Sequence, residues 1–214
     1  MTKKERSESV IRILKDLYPQ VKCTLNYETP LQMLIATQMS AQCTDARVNI
    51  VTEDLFKKYP DAESFANADY DELCDDIRSI GFFRGKAKNI ILTARRILEV
   101  YDGKVPDTME DLLTLPGTGR KTANLVLGDI YKKPAVVVDT HCMRLSRRIG
   151  LTKEETPEKI EYDLRKLIPP EEQLDLCHRF VNHGRLVCIA RNPKCELCEL
   201  RDVCKEYYYN RKEK

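Results

Sequence analysis

The chain of 214 residues contains no run of 18 consecutive apolar residues, so no segment reads as a membrane-spanning helix. Its first eight residues, Met-Thr-Lys-Lys-Glu-Arg-Ser-Glu, lack the apolar stretch of a secretory signal. Strand-like alternation is almost missing: Pro134-Ala135-Val136-Val137-Val138 is the one extended-looking run. It is short and lies between helical segments, so it reads as a buried connector. A large overall charge is missing too, the net being +2. These absences leave an all-α, cytoplasmic chain long enough for one ordinary domain or two small ones. Its nine cysteines are then thiols or metal ligands rather than disulfides.

Apolar residues recur at helical spacing along nearly the whole chain. The pattern predicts helices over 5–18, 29–41, 44–58, 84–101, about 107–113, about 120–132, 139–149, 156–167 and 171–189, with two short ones opened by Asp61 and Asp69. Thr29 before Pro30, and Thr44 three residues before Arg47, have the chemistry of helix N-caps.

The segment Leu115-Pro116-Gly117-Thr118-Gly119-Arg120-Lys121-Thr122-Ala123 reads as a tight hairpin feeding a helix. Pro116 fixes φ, and Gly117 and Gly119 permit backbone angles closed to other residues. Such a turn aims several N–H groups at one spot and makes a seat for phosphate. Lys121 falls in the first helical turn, where the dipole and Arg120 disfavour its ammonium form. A Walker-type loop is excluded, because Arg120 stands where that motif needs glycine. The bland alternative is a plain turn followed by a solvated lysine.

Charge distribution favours the functional alternative. Residues 61–115 carry 7 basic and 12 acidic side chains, whereas residues 116–150 carry 7 basic and 2 acidic. The tail from Arg185 through Arg191, Lys194, Arg201 and Lys205 to Arg211 is also rich in cations. A local basic patch, rather than a basic average, is what neutralises phosphates.

An internal echo accompanies the hairpin. Residues 77–92 can be laid on residues 112–127 with apolar positions matched, Lys86 on Lys121 and Asn89 on Asn124. One such offset is no solenoid, but it suggests two helix-turn-helix units of similar shape. In the first copy Gly81-Phe82-Phe83 replaces the Gly hairpin. By default these aromatics are core; the alternative is a wedge for a base stack.

Cys188, Cys195, Cys198 and Cys204 are spaced C-x6-C-x2-C-x5-C. With few apolar neighbours and Pro193 inside, this segment needs a metal centre to order it. The outer intervals of six and five suit an iron–sulfur cluster wrapped by one loop better than a zinc ribbon, although zinc stays open. Cys23, Cys43, Cys74, Cys142 and Cys177 are scattered and read as small core residues. Arg191 and Lys194, in the first cysteine interval, suit either phosphate contact or simple solubility.

Taken together, these motifs resemble the endonuclease III family of DNA repair glycosylases, in the helix-hairpin-helix superfamily. The resemblance rests on the hairpin with Lys121, on Val138-Asp139-Thr140-His141 downstream, on Ser40-Ala41-Gln42-Cys43-Thr44-Asp45, and on the cysteine comb, and it covers roughly residues 5–207. It implies a six-helix barrel over about 22–134 and a helical lobe of 1–21 with 135–214 that holds a [4Fe–4S] cluster on the loop 188–204. It implies a monomeric, nucleoid-associated enzyme acting on double-stranded DNA with damaged pyrimidines or abasic sites. Oxidised pyrimidines would be excised and the strand cut by β-elimination. Lys121 and Asp139 would be catalytic; Gln42, Phe82, Gly117, Gly119, Arg120, His141, Arg191 and Lys194 would contact DNA; the four comb cysteines would ligate the cluster. Asp139 also has the chemistry of a plain helix cap. Many relatives carry an aliphatic residue where Phe82 stands, which leaves its role as a wedge open. Three rivals remain. An adenine-excising relative would lack the hairpin lysine and carry a glutamate that residues 32–44 do not contain. An alkyl-purine glycosylase would differ in pocket residues, and a non-catalytic DNA-binding module would hold structural zinc.

Overall fold

The computed structural model describes residues 1–212; the side chains of 209–212, including Arg211 of the basic tail, and residues 213–214 lie outside it. Among the described residues the chain forms α1 (Lys3–Leu17), α2 (Pro30–Ser40), α3 (Asp45–Lys58), α4 (Ala62–Ala66), α5 (Tyr70–Asp76), α6 (Phe83–Tyr101), α7 (Met109–Leu113), α8 (Arg120–Asp129), α9 (Thr140–Ile149), α10 (Pro157–Leu167), α11 (Gln173–Leu186) and α12 (Lys205–Lys212). Two 3₁₀ turns, Pro170–Glu172 and Cys195–Leu197, complete the list, and no strand occurs among these residues. The all-α class stands. The chain divides into two compact units, Cys23–Lys133 and Met1–Lys22 with Pro134–Lys214.

Helix starts follow side-chain chemistry. The hydroxyls of Thr29 and Thr44 accept from the N–H groups of Gln32 and Arg47, and Asp61 and Asp69 cap α4 and α5 in the same way. Each such cap stabilises by about 1 kcal/mol, because it satisfies an otherwise orphaned donor. Helix ends were harder to read from sequence. The helix expected over 120–132 stops at Asp129, since Lys132 takes a left-handed φ of 53° and Lys133 N–H turns back to Leu127 O. The helix expected to reach 189 stops at Leu186, where Val187 and Cys188 both donate to His183 O. Helix α12 was not expected. Its sequence has no apolar period, and it is held by Arg148–Glu206 (3.2 Å) and Tyr207–Glu196 (3.1 Å). The stretch 134–138 is an extended connector, buried from Ala135 to Val138.

In the Cys23–Lys133 unit, α2 is buried from Met33 through Ser40. Ile35, Ala36 and Met39 pack with Leu73, Ile77 and Ile80 and with Ala87, Ile90, Ile91 and Ala94 of α6. The other unit buries Val10 and Leu14 of α1, Leu145 and Ile149 of α9, and Leu176 and Phe180 of α11. It also buries Arg179, which is 1% exposed and paired with Glu172 (3.2 Å) and Asp175 (3.1 Å).

Candidate nucleic-acid interface and metal centre

The hairpin before α8 is held from behind by polar side chains. Gln38 Nε2 donates to Pro116 O (3.0 Å) and to Thr118 Oγ1 (3.1 Å), and Thr93 Oγ1 donates to Pro116 O (2.8 Å). Gly117 sits at φ +73°, and a Cβ there would lie 2.8 Å from the Asn89 amide. No other residue type fits that space and that angle. Gly119 is the N-cap of α8 and supplies no side-chain cap, so the first-turn N–H groups of α8 are left to backbone or external partners. Lys121 lies in that first turn and is exposed, whereas Thr122 through Gly128 behind it are buried. Thus the lysine is presented outward on a helix start whose other residues are fixed. Arg120, beside it, is half-buried.

The echo copy ahead of α6 repeats the left-handed turn but enters its helix two residues earlier: α6 starts at Phe83, whereas α8 starts at Arg120, the counterpart of Gly85. Phe82, which corresponds to Gly117, also lies in the left-handed region, at φ 59°. Ile77 and Ile80 are buried like Leu112 and Leu115. The two aromatics divide: Phe83 packs against the core, whereas Phe82 is 72% exposed. The default reading of the pair as core therefore holds for Phe83 and fails for Phe82. Strain and exposure together at an apolar residue need an external explanation. Gln42 is exposed on the α2–α3 loop, and it too is left-handed, at φ 54°. Its carbonyl lies against Gly81, where a Cβ would approach to 3.3 Å. Gln42 and Phe82 therefore stand on adjoining loops of one unit.

In the other unit, Asp139 is the N-cap of α9, its Oδ1 accepting from Cys142 N–H at 2.7 Å. The cap fixes the orientation of the carboxylate and leaves its second oxygen outside this bond. His141, half-buried on the next residues of α9, pairs through Nδ1 with Arg144 Nη2 at 3.0 Å. Arg144 also donates to Gly184 O and Cys188 O, each at 3.0 Å, so it ties α9 to α11 and to the cysteine loop. Arg191 and Lys194 are exposed on that loop.

The four comb cysteines line one small pocket, walled by Leu145, Ile149, Val187 and Leu200. The pocket is apolar apart from sulfur and a few donors. Arg148 Nη1 approaches Cys188 Sγ (3.7 Å), and His183 Nε2 approaches Cys198 Sγ (3.3 Å). Burial pushes the Cys198 thiol up to about 11 and raises Cys195 and Cys204 as well. Forming thiolates there is costly unless a metal's positive charge offsets the lost hydration. Among the described residues no three Cys, His, Asp or Glu side chains close on a single-ion site. Four soft sulfur donors around an apolar space suit a multi-iron cluster, which Cys188, Cys195, Cys198 and Cys204 would hold, with Arg148 and His183 beside the cysteine sulfurs. Of the remaining cysteines, Cys74, Cys142 and Cys177 are buried, and Cys23 and Cys43 are half-buried at the edge of the core.

Sequence reading missed Gln38, Thr93, Arg144 and His183. They are ordinary polar residues on helices, and only the fold gives them partners.

Residues 35–170 match the family model of HhH-GPD superfamily base excision DNA repair proteins, and residues 188–204 match the iron-sulfur binding domain of endonuclease III. The chain is 52% identical over 204 residues to endonuclease III of Synechocystis sp., covering 95% of this chain and 93% of the relative. It is 41% identical over 192 residues to endonuclease III of Bacillus subtilis, covering 89% and 88%. Among solved structures, a trapped endonuclease III–DNA covalent intermediate superposes with a TM-score of 0.93 at 38% identity, over 99% of this chain and 100% of that one. The chain therefore belongs to the endonuclease III family of helix-hairpin-helix base excision repair proteins, DNA glycosylases with abasic-site lyase activity that carry a [4Fe–4S] cluster.

Proposed function

We propose that this protein excises oxidised or ring-saturated pyrimidines from duplex DNA and then cuts the strand by β-elimination through a Schiff base on Lys121. The presentation of Lys121 carries the reading: an exposed amine on the first turn of α8, beyond a hairpin held by Gln38 and Thr93. A base that has lost aromaticity stacks poorly, so everting it costs less. The neutral Lys121 amine attacks C1′ of the everted nucleotide and the base leaves with the glycosidic electron pair; nitrogen then loses a proton while the C1′–O4′ bond breaks and O4′ takes up a proton, which opens the sugar to an imine. Asp139, its carboxylate fixed by the cap to Cys142, takes up the proton or balances positive charge growing on the sugar. Phe82 wedges into the stack and Gln42 fills the space left by the extruded base. Gly117 and Gly119 bind backbone phosphate through main-chain N–H groups, while Arg120, His141, Arg191 and Lys194 extend the contact with DNA. Cys188, Cys195, Cys198 and Cys204 hold the cluster, which orders the 188–204 loop. The protein acts as a monomer.

The test is borohydride reduction during incubation with thymine-glycol duplex. The expected result is a covalent protein–DNA adduct that Lys121→Ala abolishes; an undiminished adduct in that variant would remove the nucleophile. Asp139→Asn is expected to bind DNA and turn over at least about 10²-fold more slowly. Normal turnover would leave Asp139 as a cap alone.

A further inference from the structure

The buried Lys86 is absorbed neither by the core nor by the chemistry at Lys121. It is 8% exposed, in the first turn of α6. Its Nζ donates to Met39 O (2.7 Å) and to Ala41 O (2.6 Å), two of the carbonyls that the end of α2 leaves without helical partners. Its own N–H donates to Phe82 O (3.2 Å). One residue therefore grips the turn before Gln42 with its side chain and the turn carrying Phe82 with its backbone. Both Gln42 and Phe82 are held at left-handed φ, which costs about 1–2 kcal/mol each and persists only where surroundings impose it. The negative end of the α2 dipole favours an ammonium at this spot. Burial opposes it and lowers the Lys86 pKa from its usual value. Only a residue that reaches about five atoms from its backbone and donates in several directions satisfies both carbonyls here.

We propose that Lys86 is a positioning residue for base extrusion: its ammonium, clamped between Met39 O and Ala41 O, sets the Gln42 loop against the Phe82 loop so that wedge and filler enter the duplex together. This rests on the roles given above to Gln42 and Phe82. Lys86 touches no reacting atom. Its loss should burden the step that removes a stacked base far more than the later chemistry at an abasic sugar, which has no base to extrude.

The experiment measures single-turnover excision on thymine-glycol duplex and strand cleavage on preformed abasic duplex, for holoenzyme with Lys86→Met, Lys86→Arg and Lys88→Met. Lys88 is exposed on the same helix and controls for lost charge. Expected for Lys86→Met is a fall of at least about 20-fold in excision with less than about 3-fold in abasic cleavage, while Lys86→Arg and Lys88→Met keep most of both. The chain has no tryptophan, so Phe82→Trp adds a single reporter. Its fluorescence anisotropy should fall when Lys86→Met is added, showing a loosened loop. Equal loss on both substrates, equal loss in Lys88→Met, or an unchanged reporter would each overturn the proposal. If Lys86→Met does not fold, Gly81→Ala decides, because its Cβ presses on Gln42 O from the other loop. It must show the same excision-specific loss, and proportional loss overturns the proposal. Failure of the Lys121 reading looks different: the unmodified protein would then form no adduct on either duplex.

Discussion

The turns at residues 77–92 and 112–127 both place a left-handed residue before a helix, but with different side chains and with the helix starting two residues earlier in the first. In one, the left-handed residue is Phe82 and the lysine that follows is buried; in the other, it is Gly117 and the lysine is exposed. The difference arises in what packs behind each turn. The α2 carbonyls lie within reach of Lys86 and draw its ammonium inward. Behind the second turn Gln38 and Thr93 satisfy Pro116 O, and Lys121 stays exposed. On the proposed reading, one helix-turn-helix unit would serve as a scaffold for apolar insertion and the other as a phosphate seat with a nucleophile. The swap of a bulky strained residue for glycine follows the same division. Phosphate needs bare N–H groups at close range, whereas a wedge needs volume.

The largest effect expected from this contrast is a double dissociation between the two lysines. Lys121→Ala should lower excision by at least about 10³-fold, as loss of a covalent nucleophile does. Because the side chain is exposed, stability should move by less than about 0.5 kcal/mol. Lys86→Met removes the donor from one buried and one part-buried carbonyl and should cost about 1–3 kcal/mol, read from urea midpoints at constant m. Comparable stability losses in the two variants would mean that the lysines are not divided between scaffold and chemistry.

Next in size is Gly117→Ala. Its φ of +73° strains any side chain, and the new Cβ would meet the Asn89 amide at 2.8 Å. A destabilisation of about 2 kcal/mol or more is expected, with weaker DNA binding because the hairpin N–H groups shift. Adding Asn89→Ala opens the contact and should restore part of that stability without altering φ. No restoration would place the whole cost in the backbone angle.

Much of this was legible in the sequence for identifiable reasons. Caps announce helix starts because one side-chain oxygen satisfies one orphan donor, and Thr29, Thr44, Asp61, Asp69 and Asp139 all behave so. Helix ends at Asp129 and Leu186 depend on backbone turns that many residues tolerate, and they were placed three residues too late. The helix α12 is stabilised by partners distant in sequence, so its own residues carry no signal. At the candidate site, the residues proposed to carry the chemistry were visible through spacing: Lys121 by the hairpin and the cysteines by their comb. Their supports were not. A glutamine at 38, a threonine at 93 and an arginine at 144 acquire meaning only when the fold brings carbonyls or a second helix to them. Lys86 lies between these classes. The echo flagged its position, and only the fold shows that, unlike Lys121, it is buried against the end of α2.

The smallest effect has a sign that separates scaffold from function. Phe82→Gly removes a side chain that is 72% exposed, so little packing is lost. It also relieves the cost of holding a β-carbon at φ 59°. Part of that gain is offset by the larger entropy of glycine in the unfolded chain. Thermal unfolding should therefore show a change between zero and about 1 kcal/mol in the stabilising direction. Excision should fall in the same protein, because the wedge is gone while the turn is more comfortable. Gly117→Ala should lose both stability and binding. If Phe82→Gly destabilised the fold, Phe82 would be packing against something that its exposure conceals, and the strain at this position would serve the core rather than the DNA.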